Sequence, residues 1–235
     1  MLKLQHPYIS VEHRRIRSYG GSQMLSGSRT MREVGCGVIA ALDLLLYLCR
    51  FHPGCSGEFF AEAAEDGVID SAEYDQLSRR LSRRFFPLIP KLGVNGLMLA
   101  AGLNAFFRRY GYPFRARWGI GSRRLFEEIE ALLAQDLPVI LSVGPNFPLF
   151  WKKDTLPFYV RHADAAPTSA CTVRAHYVTV TGIDEKYLHI SSWGRAYLID
   201  RAEYASFIRN SSGSIVSNIV ILNRIDKANN GKTQL

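Results

Sequence analysis

Residues 38–48, VIAALDLLLYL, are apolar except for one charge, Asp43. A run that is apolar nearly all round predicts a helix buried on most of its sides, not an amphipathic surface helix. The reading is a central helix over 36–50, ended by His52-Pro53-Gly54. The run is too short for a membrane span, which needs about 20 apolar residues. Directly before it stands Gly35-Cys36-Gly37. A helix N-terminus carries roughly half a positive elementary charge and free N–H donors, and both favour thiolate over thiol. The flanking glycines leave room for a substrate backbone to approach. Cys36 is therefore a candidate nucleophile, against the plainer reading of a small buried hydrophobe.

Composition sets the outer bounds. The chain has 235 residues, 47% hydrophobic and 21% charged, as expected for one large globular domain with a sizeable core. No stretch reads as a membrane span. The first residues lack the continuous apolar region of a secretory signal, so the expected location is cytoplasmic. The four cysteines, Cys36, Cys49, Cys55 and Cys171, show no disulfide framework and read as reduced thiols. The net charge is +8, with arginines clustered at Arg79-Arg80, Arg83-Arg84, Arg108-Arg109 and Arg123-Arg124. Their helical spacing in polar segments favours solvated helix faces over a nucleic-acid partner.

Along the chain, residues 1–35 read as irregular. Residues 57–65 read as a short helix. Asp70 to Glu73 resembles a capping box before a basic helix running to about Arg84. A further helix is expected over 95–110, closed by Gly111, and another capped by Ser122 with Leu125, Ile129, Leu132 and Leu133 on one face. The pattern then changes. Strands are expected at 139–143, 176–181, 187–192, 195–199 and 216–222, with a short helix over 200–209. A proline-rich loop over 145–170 is long enough to suspect function, and residues 226–235 read as a frayed tail. Helices first and strands afterwards predict an α+β class, with the Cys36 helix packed on an antiparallel sheet. The expected organisation is a single domain over 1–225. Its helical part covers about 36–135, with an addition at about 57–120, and its β-rich part about 137–225.

A thiol nucleophile needs a base, and usually a third group to orient that base. His176 opens the strand HYVTVT, 140 residues after Cys36. Taken together, G-C-G with its apolar helix, P-V-I-L-S-V, A-H-Y-V-T-V-T-G-I-D and Y-L-H-I-S-S-W-G resemble the papain-like cysteine peptidase superfamily. The nearest branch is the double-glycine leader peptidases and their stand-alone relatives. The resemblance covers residues 35–50 and about 137–210, leaving about 57–120 outside it. It implies a papain-like fold, with Cys36 as nucleophile and His176 as general base and acid. Ser191 falls at the third position, where the family has Asn or Asp. A serine hydroxyl there brings no charge. Trp193 would shield the imidazole's hydrogen bond. The family's oxyanion glutamine lies five or six residues before the cysteine, where this chain has Thr30 and Met31. Gln23 is the nearest upstream glutamine.

The mechanism so implied is attack by a Cys36 thiolate, paired with imidazolium His176, on a peptide or amide carbonyl. The partner is then a peptide or protein substrate, and no cofactor is called for. An acyltransferase using the same thiol is one alternative, and a degenerate relative that binds peptides without cutting them is another. Cys49, His52 and Cys55 sit at the spacing of a chelating turn, with Cys171 as the spare fourth ligand. A helix-end coincidence is the plainer reading of that spacing.

Overall fold

The apolar run folds into the helix Cys36–Phe51, and every residue from Gly37 to Leu48 is buried. The computed structural model describes residues 1–225 apart from 56, 61–67, 120–123, 149, 150 and 164. Three short strands open the chain: β1 (Leu2–Lys3), β2 (Ser10–His13) and β3 (Ile16–Arg17). Helix α1 (Arg29–Val34) leads into the central helix, α2. Next come β4 (Val68–Asp70), α3 (Ser71–Phe85), α4 (Gly96–Tyr110), β5 (Phe114–Trp118) and α5 (Leu125–Ala134). The remainder is mostly strand: β6 (Val139–Val143), β7 (Leu156–Val160), β8 (Thr168–Val173), β9 (His176–Ile183), β10 (Tyr187–Ser192) and β11 (Arg195–Asp200), then α6 (Arg201–Phe207) and β12 (Val220–Arg224). The class is α+β.

The main sheet is antiparallel and built around β9. On one side β9 pairs with β10, which leads through β11 and β7 to β8. On its other side β6 lies opposite His176–Val180 and β1 opposite Gly182–Ile183. Helix α2 packs against β9 and β6 and also against α3 and α4. That explains its all-round apolar surface. Each Leu, Ile or Val side chain so enclosed contributes about 1.5–3 kcal/mol relative to leaving it in water. A single apolar cluster runs from Leu4 through α2 to Leu222.

Helix boundaries follow local chemistry. Asp70 caps α3 through Oδ1, which accepts from the Ala72 amide at 2.8 Å. Gly111 closes α4 in the left-handed region at φ 69°. Gly35 separates α1 from α2, where a Cβ would stand 2.4 Å from the Met31 carbonyl oxygen. Any larger residue would push α1 off the start of the cysteine helix.

Several sequence expectations need correction. Residues 1–35 are not irregular, since β2 pairs antiparallel with β3 and parallel with β4. The segment after α4 contains β5, which pairs with β12. The 145–170 segment is not all loop, since it contains β7 and the start of β8, paired at the edge of the main sheet. Residues 58–60 form a turn where a helix was expected. The rest of that expected helix, at 61–65, lies outside the described residues, as does the Ser122 cap. Among the described residues no helix is long and apolar enough to cross a membrane.

Candidate active site

Cys36 is the first residue of α2 and is half-buried. Its neighbour Gly37 is fully enclosed, and a Cβ there would lie 2.5 Å from Val94 Cγ2 and 3.2 Å from the Tyr177 ring. The cysteine end of the helix is thereby set tight against β9. His176 is the first residue of β9, opposite Val143, and follows Ala175, which holds a left-handed φ of 54°.

The strands β10 and β11 are joined by the two residues Trp193 and Gly194, with Ser192 opposite Arg195. Both turn residues have positive φ, 48° and 75°, as a two-residue turn matched to strand twist requires. This turn lays the Trp193 indole on the His176 ring, with centroids 4.3 Å apart and planes 19° apart. Phe158 of β7 flanks both rings. His176 Nε2 meets Ser192 Oγ at 2.8 Å in a buried contact. Nδ1 is left as the ring's other nitrogen.

Ser191 does not occupy the place expected for it. Its hydroxyl donates to the Tyr19 carbonyl oxygen at 2.7 Å, and Ser192 is the residue on the imidazole. The reason is strand alternation, because neighbouring residues point to opposite faces. Ser191 pairs with Thr179, so Ser192 falls opposite Val178, two residues along β9 from His176 and on its face. The missed signal was the register of the hairpin, closed by Trp193-Gly194.

Gln23 does come to the site. It sits in a single helical turn, Gln23–Leu25, whose start is capped by the Ser22 hydroxyl. Its buried amide Nε2 donates to the Arg32 carbonyl at 2.8 Å. A carboxamide nitrogen has two protons, so one remains. Cys36, His176, Gln23, Ser191, Ser192 and Trp193 all line one cavity, and so does Asp43, which sequence reasoning passed over. Its volume is about 20 Å³, room for roughly one water. A substrate carbonyl must therefore reach the sulfur from the exposed side of Cys36.

Burial pushes the Cys36 thiol up, against the lowering effect of hydrogen bonds from the backbone at Tyr177, Gly37 and Cys36 itself. Burial also lowers His176 to about 4. Both effects favour the neutral forms, thiol and imidazole, over the thiolate and imidazolium that the resemblance implies. Asp43 is raised to about 6 by burial, opposed by hydrogen bonds from Tyr74, the Gly21 amide and Tyr8.

The chelating-turn spacing does not close on itself. His52 Nε2 meets the Asp136 carbonyl oxygen at 2.9 Å, and among the described residues no three His, Cys, Asp or Glu side chains converge as metal ligands would. Of the arginine clusters, Arg79 pairs with Asp75 at 3.2 Å and Arg80 lies over the Phe59 ring, while Arg83 and Arg84 are exposed. No family model, curated protein or solved structure matches the chain.

Proposed function

We propose that the protein is a thiol hydrolase of papain-like architecture that cleaves a peptide or amide bond at Cys36. The observation that carries the reading is the meeting of Cys36, His176 and Gln23 in one cavity, although 140 residues separate the first two. Trp193 stacking and the Ser192 contact hold the imidazole in a single orientation.

In the proposed reaction His176 Nδ1 takes the thiol proton as Sγ bonds to the carbonyl carbon. Because burial favours the neutral pair, proton transfer accompanies attack and is not complete before it. The developing oxyanion is met by the Cys36 amide and the free proton of Gln23 Nε2. The C–N bond then breaks, with His176 protonating the leaving amine. Water, deprotonated by His176, attacks the thioester carbonyl and releases the acid and the thiol. An amine in place of that water would make the same site an acyltransferase.

A second reading has specific support. Ser192 brings no charge to stabilise an imidazolium, and burial of His176 favours its neutral form. Both features suit a relative that binds peptides without cutting them. The deciding experiment incubates the protein with a tryptic digest of casein and maps new peptide ends by mass spectrometry. New ends with the wild type and none with Cys36→Ala support the hydrolase. Peptides retained on the protein but left intact support the binding module.

A further inference from the structure

Asp43 lies two turns along α2 from Cys36, on the same face of the helix. It is buried, and among the described residues no Lys, Arg or His pairs with it. Its oxygens accept from the Tyr74 hydroxyl at 2.6 Å, the Tyr8 hydroxyl at 3.2 Å and the Gly21 amide at 3.0 and 3.2 Å. The Tyr8 hydroxyl also meets Thr179. Enclosing a carboxylate without a counter-charge is costly, and a leucine would pack this helix more cheaply.

What the carboxylate holds is the loop that delivers Gln23. Gly21 stands two residues before Gln23, and the residues just before it are pinned to the β10–β11 hairpin and to Ile9. Ser191 Oγ donates to the Tyr19 carbonyl, the Tyr19 amide donates to the Gly194 carbonyl at 2.9 Å, and the Gly20 amide to the Ile9 carbonyl at 2.7 Å. Gly20 takes a φ of 76°, and a Cβ there would fall 2.2 Å from Ser191 Oγ and 2.7 Å from Asp43 Oδ2. The loop is thus held between the helix of the thiol and the hairpin that carries Ser192 and Trp193. We infer that Asp43 is a positioning residue that, through the Gly21 amide, sets the Gln23 carboxamide at the oxyanion position beside Cys36. This rests on the hydrolase reading above.

The test compares two reagents on the full chain. p-Nitrophenyl acetate acylates a thiol through a tetrahedral oxyanion, whereas iodoacetamide alkylates it without one. Asp43→Asn is expected to slow acylation of Cys36 about tenfold, less than the 10²–10³ typical for removing an oxyanion donor outright. Alkylation should stay within about twofold, because it never uses the oxyanion position. Gln23→Ala should reproduce this split. In the wild type the Gly21 amide proton resonance should shift as Asp43 titrates, and in Asp43→Asn it should not. If Asp43→Asn does not fold, Tyr74→Phe removes one donor and should slow acylation about threefold, with alkylation unchanged. Acylation unchanged in the variants, or both reactions falling together, overturns the inference. A wild-type Cys36 that is never acylated instead brings down the hydrolase reading, and Asp43's role with it.

Discussion

Two groups lining the same cavity should push stability in opposite directions as the pH falls. Asp43 has its folded value raised to about 6 from 3.8, and His176 has its folded value lowered to about 4 from 6.5. The raised carboxyl binds its proton more readily in the folded chain. Its contribution is present below its unfolded value and lost as pH rises through about 6. The lowered imidazole binds its proton less readily when folded, so its contribution is present above about 6.5 and lost as pH falls toward about 4. At about 1.36 kcal/mol per unit, and with each shift only partly realised by about pH 4.5, acidification from about pH 7 gains about 2 kcal/mol from Asp43 and loses about 2–3 kcal/mol from His176. In the wild type the two nearly cancel, and substitution exposes each. Urea unfolding of wild type, Asp43→Asn and His176→Gln at both pH values measures the effect, and differences from wild type remove the contributions of other titrating groups. On acidification Asp43→Asn should lose about 2 kcal/mol relative to wild type, and His176→Gln should gain about 2–3 kcal/mol. Gaps constant to within about 0.5 kcal/mol across this range would refute the burial and charge states assigned to the cavity.

The two neighbouring serines should separate cleanly. Ser192→Ala strips His176 Nε2 of its buried partner and should cost about 1–3 kcal/mol in stability and slow acylation of Cys36. Ser191→Ala should leave the imidazole nitrogen resonances unchanged, because its hydroxyl serves the Tyr19 carbonyl. Nitrogen-detected resonance of His176 in both variants reads this directly, and a shift in Ser191→Ala alone would reverse the assignment. Gly20→Ala places a Cβ against Ser191 and Asp43 at a left-handed φ, and should cost at least about 1 kcal/mol by thermal melting. An unchanged melting temperature would contradict the tight loop.

Much of the scaffold was legible because its patterns are long. The all-round apolar run over 38–48 admits little but a buried helix, and HYVTVT carries the period of two that marks β9. What escaped was short or masked by other signals. The strands β1 and β3 have two residues each, below any window in which periodicity is visible. In β5, Phe114, Ala116 and Trp118 alternate inward with Arg115 and Arg117 outward, a run of only five residues. Proline at 157 disguised β7, which the short register with β11 at Leu198 and Tyr159 accommodates.

In the candidate site, Cys36 stands out by its place at the helix start and His176 by the family resemblance, and the two line one cavity. The third residue depends on which face of β10 each serine takes, and motif position alone favoured Ser191 where hairpin register selects Ser192. Asp43 read only as a blemish in an apolar helix, because its donors come from Tyr8, Gly21 and Tyr74, far apart in the chain.

The central claim is that the sulfur of Cys36 and the imidazole of His176 act as a pair. Iodoacetamide labelling near neutral pH, followed by mass spectrometry at all four cysteines, tests it most directly. The expected result is that Cys36 labels faster than Cys49, Cys55 and Cys171, and that His176→Ala slows Cys36 alone by about tenfold or more. A Cys36 rate no greater than that of Cys171, indifferent to the loss of His176, would contradict it.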